Sequence, residues 1–161
     1  MSDEHARYEA VRENYRAMIE KFGFAKVGVF DPAGQTDSFI YTVGFEHKDM
    51  PELVIGAAFD VSDLSMFVDH FAHDALHEGH ALRTKVDAFT LGDDSSYDLR
   101  LVEVDPVFAT DRVLVQAESI LKRPVTRVCQ IQISDAQKRW PGEEGFDDKF
   151  RQMYVGSIIA K

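Results

Sequence analysis

The chain has 161 residues, 45% apolar and 29% charged, with 28 Asp and Glu against 18 Lys and Arg and a formal net charge of -10. This length points to one domain, and a chain of this mass hides roughly 70% of its unfolded surface on folding, enough for a core without disulfides. The acidic balance disfavours nucleic acid and anionic membrane as partners, because both attract proteins through Lys and Arg.

The amino-terminal stretch Met1 to Tyr15 is charged and polar, without the apolar centre of a signal peptide, which predicts no export. From Glu4 to Phe22 the apolar residues Tyr8, Val11, Tyr15, Met18, Ile19 and Phe22 recur at three- and four-residue steps, the spacing of one helical face. Gly23 follows as a stop. Three strand patterns come next: Ala25 to Phe30, leading into the turn residues Asp31, Pro32, Ala33 and Gly34; Ser38 to Phe45; and Leu53 to Phe59 after a polar loop through Pro51. The short connections predict antiparallel neighbours. Leu53 to Phe59 is also the longest apolar run, far below the roughly 20 residues that a membrane-spanning helix needs.

Ser62 to Gly79 reads as a second helix, capped by Asp60 or Ser62, with Leu64, Phe67, Val68, Phe71, Ala72, Ala75 and Leu76 forming an arc that lies on the sheet. Thr84 to Leu91 and Leu99 to Val104 form a hairpin around the acidic tip of Gly92, Asp93, Asp94, Ser95 and Ser96. Asp105 and Pro106 are the cap and first residue of a third helix running toward Leu121, and Val125 to Ile133 is a sixth strand. Beyond Ser134 the composition shifts to Trp140, Pro141, Gly142 and Gly145 with clustered acids, an ordered loop or a tail. The expected fold is α+β, a mainly antiparallel sheet of about six strands packed with three helices, with curling toward a barrel left open. Residues 1–161 form a single domain: an N-terminal helix over 1–22, an α+β core over 23–134 and a C-terminal segment over 135–161. Neither strict βαβ alternation nor a glycine-rich phosphate loop is present in the sequence.

Three groups of residues are candidates for chemistry. His70, His73 and His77, followed by His80, recur at helical spacing opposite the apolar arc, with Asp69 and Asp74 beside them. Such a stripe can share zinc, copper or nickel, or be a hydrated polar face. Cys129 is the only cysteine, which excludes an internal disulfide and fits a reducing cytoplasm; among apolar neighbours it reads as a buried, inert thiol. The acids Asp93, Asp94, Glu143, Glu144, Asp147 and Asp148 read as solvated, and His47 and Glu52 flank Pro51 in a loop that could present both. Neither the Gly-x-Ser-x-Gly elbow nor the His-Glu-x-x-His run occurs in the sequence.

Several segments together resemble a known family. Gly23-Phe24-Ala25, Val27-Gly28-Val29, Phe39-Ile40-Tyr41-Thr42-Val43-Gly44-Phe45 and Pro51-Glu52-Leu53-Val54-Ile55 are similar to the amino-terminal half of the DUF4262 family of bacterial domains. Val104-Asp105-Pro106, Gln130-Ile131, Asp135 and Arg139-Trp140-Pro141 resemble its closing segment. The resemblance implies a small bacterial domain without an assigned function. The histidine stripe departs from the family pattern, which is Leu, Ala and Arg-rich there, and so does Gly142, where an aromatic is usual. If the family shares a site, the resemblance places it where the motif residues would converge: Tyr41, Thr42, His47, Glu52, Asp135 and Trp140.

Two functions follow from these observations. One is a non-catalytic binding or protein-interaction module, whose partner is a basic protein or a small molecule. The other is a small cofactor- or metal-binding enzyme with a pocket near Tyr41, Glu52 and Trp140. The order helix, three strands, helix also opens the flavin-binding split barrels, an analogy of element order in which Arg83, Lys85, Arg100 and Arg127 would hold the flavin phosphate.

Overall fold

The computed structural model describes residues 3–29, 38–57, 59–77, 86–90 and 96–152. The elements along the chain are α1 (Asp3–Phe22), β1 (Ala25–Val29), β2 (Phe39–Val43), a 3-10 turn (Phe45–Lys48), β3 (Glu52–Gly56), α2 (Val61–His77), β4 (Val86–Thr90), β5 (Ser96–Val104), α3 (Pro106–Arg112), α4 (Ala117–Leu121), β6 (Val128–Ile133) and a second 3-10 turn (Asp148–Phe150). The turn residues 31–34, the hairpin tip 92–95, His80, Arg83 and Lys85 lie outside the described residues.

The six strands form one sheet in the order β1-β2-β3-β6-β5-β4. It consists of two antiparallel meanders, β1-β2-β3 and β4-β5-β6, joined side by side through β3 and β6, which run parallel with Leu53 opposite Cys129. The α+β architecture is as expected, and four of the five neighbouring pairs are antiparallel. Among the described residues the sheet does not close into a barrel, and β1 and β4 stand at its two edges. The parallel pair has a simple origin, because β3 and β6 are separated by α2, β4, β5, α3 and α4, a crossover long enough to bring the chain back in the same direction.

Alternation along the strands builds a separate core on each face. On one side Ile40, Leu53, Ile55, Leu99, Leu101, Cys129, Ile131 and Ile133 meet Leu64, Phe67, Val68, Phe71 and Ala72 of α2. That is the arc the sequence places on the sheet, and each fully buried Leu, Ile or Phe contributes roughly 1.5–3 kcal/mol. On the other side Val27, Tyr41, Val43, Val54, Val104 and Val128 meet Ala109, Val113, Leu114, Ala117 and Ile120 of the α3–α4 region, with Tyr15 and Ile19 of α1 packed against them.

Several boundaries differ from the sequence expectation for local reasons. The third helix is two short helices, because the chain leaves helical geometry at Val113 to bury Val113 and Leu114. Asp105 caps α3 as expected, its side chain accepting the Val107 N–H at 3.0 Å. Strand β6 starts at Val128, since the Val125 N–H donates to the Glu118 carboxylate at 2.9 Å instead of joining the ladder. Helix α1 differs most. Only Tyr15 and Ile19 of its stripe pack against the core, while Tyr8 (54%), Met18 (44%) and Phe22 (60%) remain exposed.

Candidate functional site

The segment Thr42 to Leu53 folds around one carboxylate. Glu52 opens β3 fully buried, and it accepts hydrogen bonds from the Thr42 hydroxyl (2.8 Å) and the Phe45 N–H (3.2 Å) on Oε1, and from the Gly44 (2.9 Å) and Glu46 (3.1 Å) N–H groups on Oε2. Thr42 Oγ1 in turn accepts the Leu53 N–H at 2.8 Å. Three of the four donors on Glu52 are backbone groups at the start of the 3-10 turn, which lack partners within the turn itself. Burial pushes the Glu52 carboxyl up to about 7, against the four hydrogen bonds that favour its ionised form.

Geometry requires the glycine of this joint. Gly44 has φ of +124°, and a Cβ there would meet Gly23 O and the Phe24 Cα at 2.9 Å. Close contact at Gly44 lets Phe24 stack on Phe45 with centroids 5.1 Å apart. Glu46 is also buried and locks the turn to the chain before β6, accepting from Thr126 Oγ1 at 2.6 Å. His47, on the outer side of the same turn, is exposed.

Asp135 organises the C-terminal segment in the same manner. Fully buried, it accepts from the Gln137 and Arg139 N–H groups on one oxygen, and from Arg139 Nε and the Asp147 N–H on the other, all within 3.1 Å. Burial acts to raise its carboxyl, but these donors outweigh it and hold the group below the usual carboxylate range. The loop so formed lays Trp140 over the Arg100 guanidinium, 4.2 Å from the ring centroid, while Arg100 Nε donates to Gln132 at 2.8 Å. Tyr41 points to the α3–α4 side of the sheet, where its hydroxyl accepts the Gln116 N–H at 3.3 Å and burial pushes it up to about 12.

The six motif residues therefore occupy distinct neighbourhoods. Thr42 and Glu52 meet each other, Tyr41 supports the start of α4, Asp135 holds its own loop, Trp140 covers Arg100, and His47 lies on the surface. Of the cations considered for a flavin phosphate, Arg100 is stacked under Trp140 and Arg127 pairs with Glu103 at 3.2 Å. Cys129 is buried in the α2-side core, and burial pushes its thiol up to about 12, which leaves little thiolate at neutral pH. On α2, His73 is exposed and His70 is half-buried with its ring edge-on to Phe71; the His77 side chain lies outside the described residues. Among the described residues no three His, Cys, Asp or Glu side chains converge as a metal-ligand group.

A groove of about 620 Å³ lies elsewhere, between the end of α1, the start of β1 and α2. Met18, Phe22, Phe24, Ala72 and Leu76 supply apolar walls, and Lys21, Lys26, Asp69 and His73 supply polar groups. Lys26 bridges the sheet to α2, its Nζ donating to Ser65 Oγ at 2.6 Å and to Asp69 Oδ1 at 2.7 Å. A serine–lysine nucleophile needs a neutral amine as base, whereas here the amine is anchored as a donor to a carboxylate. The groove and the Glu52 joint share an element: Phe24 lines the one and stacks on Phe45 in the other.

The model of one family, described as a domain of unknown function (DUF4262), matches residues 18–147. The chain belongs to the DUF4262 family. Comparison with curated proteins and with solved structures finds no significant match. The DUF4262 match spans every residue that lines the groove, the Glu52 joint and the Asp135 loop, ending on Asp147. The Tyr-Thr-Val-Gly and Pro-Glu-Leu segments of this chain fold the joint, with Thr42 and Gly44 facing Glu52 across one turn. Sequence reasoning missed the groove. Its one available signal was the breadth of the α1 stripe, wider than the Tyr15 and Ile19 that pack against the core.

Proposed function

We propose that this DUF4262 protein is a non-catalytic binding module whose binding face is the groove between α1 and α2. The observation that carries this reading is the pairing of an open apolar trough with motif acids that are already consumed. Glu52 and Asp135 each accept four hydrogen bonds from their own surroundings. A carboxylate so occupied has no lone pair directed at a substrate, which weighs against the enzyme reading near Tyr41, Glu52 and Trp140. An apolar concavity with a few placed polar groups is the usual form of a small-molecule site.

A fragment screen followed by NMR on the full chain tests the reading. Hits should cluster on Met18, Phe22, Phe24 and Ala72, and Met18→Glu should remove them. Hits confined to the surroundings of Trp140 and Glu52, or flavin absorbance in the purified protein, would refute it in favour of a cofactor enzyme.

A further inference from the structure

We infer that the groove takes a small amphipathic monoanion, an apolar body carrying one carboxylate; this rests on the groove being the binding face. Size is the first argument. A volume of about 620 Å³ lies within the roughly 300–1,000 Å³ typical of small-molecule sites. A docked helix about 10 Å across would exhaust it in roughly a turn and a half.

Charge is the second argument. The protein carries a net charge of -10, yet this groove has two lysines and one aspartate among its lining residues. Asp69 and Lys26 offset one another at 2.7 Å, which leaves Lys21 as the net positive charge of these three. Asp69 and Ser65 hold the Lys26 ammonium in place at the sheet edge, and their two contacts use two of its three donors. Lys21 stands at the α1 side, its Nζ 5.2 Å from the Phe22 ring centroid. An anion entering here meets the Lys21 charge at the α1 wall and the third donor of Lys26, already paired with Asp69, at the other, and its apolar part covers Met18 and Phe22, which water otherwise wets.

The test uses the full chain and three ten-carbon probes below their micelle concentrations: decanoate, decanol and decyltrimethylammonium. Amide shifts in two-dimensional NMR should saturate with decanoate at residues 22–26 and 69–76. Decanol should bind about fivefold more weakly and the cation more weakly still, the difference expected of one partly exposed ionic contact. Lys21→Glu, an exposed substitution, should weaken decanoate about fivefold and leave decanol unchanged, while Met18→Glu should weaken all three. Equal binding of the three probes in the groove would overturn the anion preference and leave the binding face standing. Shifts in the groove from none of them would overturn both. Shifts there on raising protein concentration alone would overturn the small-molecule ligand in favour of a second copy of the chain.

Discussion

Replacing Glu52 by Gln separates the two forces that act on this carboxylate. Burial favours its protonated form, and the Thr42 hydroxyl and the Gly44, Phe45 and Glu46 N–H groups favour its ionised form; burial prevails and the group rises from an ordinary 4.5 to about 7. A carboxyl that binds its proton more tightly folded than unfolded stabilises the protein fully below pH 4.5, and that stability is lost as pH rises to 7. At about 1.4 kcal/mol per pH unit, the window corresponds to roughly 3 kcal/mol. Gln cannot titrate, so its variant lacks this slope. Gln also presents a donor where two N–H or O–H groups point, and each buried donor left unpaired costs about 1–3 kcal/mol. Urea unfolding of both proteins at intervals from pH 4 to pH 8 measures the difference directly. The advantage of the wild type should shrink by roughly 3 kcal/mol between pH 4.5 and 7, then stay level. A constant difference would refute the reasoning, and an advantage that grows with pH would show that the four hydrogen bonds outweigh burial.

Gly44→Ala forces a side chain into a left-handed position with backbone 2.9 Å away, and should cost about 2–4 kcal/mol, read as a fall in thermal midpoint; an unchanged midpoint would mean that the joint relaxes. Asp135→Asn removes the Arg139 ion pair and one acceptor oxygen, so hydrogen exchange should quicken at the Gln137, Arg139 and Asp147 amides while the β6 amides stay protected. Because the folded Asp135 carboxyl sits below its ordinary 3.8, its contribution is present above that pH and disappears as pH falls further, a loss that the Asn variant should not show in acid unfolding. Trp140 is the sole tryptophan, so Arg100→Ala should shift its emission to the red as the ring loses its cover; an unmoved spectrum would refute the stacking.

Legibility in the sequence followed the range of the interactions involved. The α2 arc from Leu64 to Leu76, the Asp105–Pro106 helix start and the alternation of Cys129, Ile131 and Ile133 were readable because helix and strand periodicities are local. The Glu52 joint was half readable. Thr42 and Glu52 stand out as motif residues, but as possible ligands, because nothing in a linear spacing says that a carboxylate turns inward to cap a turn beside it. The groove left only the breadth of the α1 stripe as a trace in the sequence, since Met18, Lys26 and Asp69 come from three elements whose meeting depends on how α1 and α2 sit against β1.

By itself the sequence determined an acidic chain with one cysteine, its amphipathic helix on the sheet, its first three antiparallel strands, the hairpin of β4 and β5 and its family resemblance. All of these depend on residue counts or on neighbours a few positions apart. Only the tertiary structure decided that β3 and β6 pair in parallel, that β1 and β4 are the sheet edges among the described residues, that Glu52 and Asp135 turn inward onto their own loops, and that α1 leaves Met18 and Phe22 exposed. The parallel pairing, the sheet edges and the seating of α1 depend on contacts between segments tens of residues apart, and the two carboxylates on which way a side chain turns within its own loop; periodicity carries no information about either.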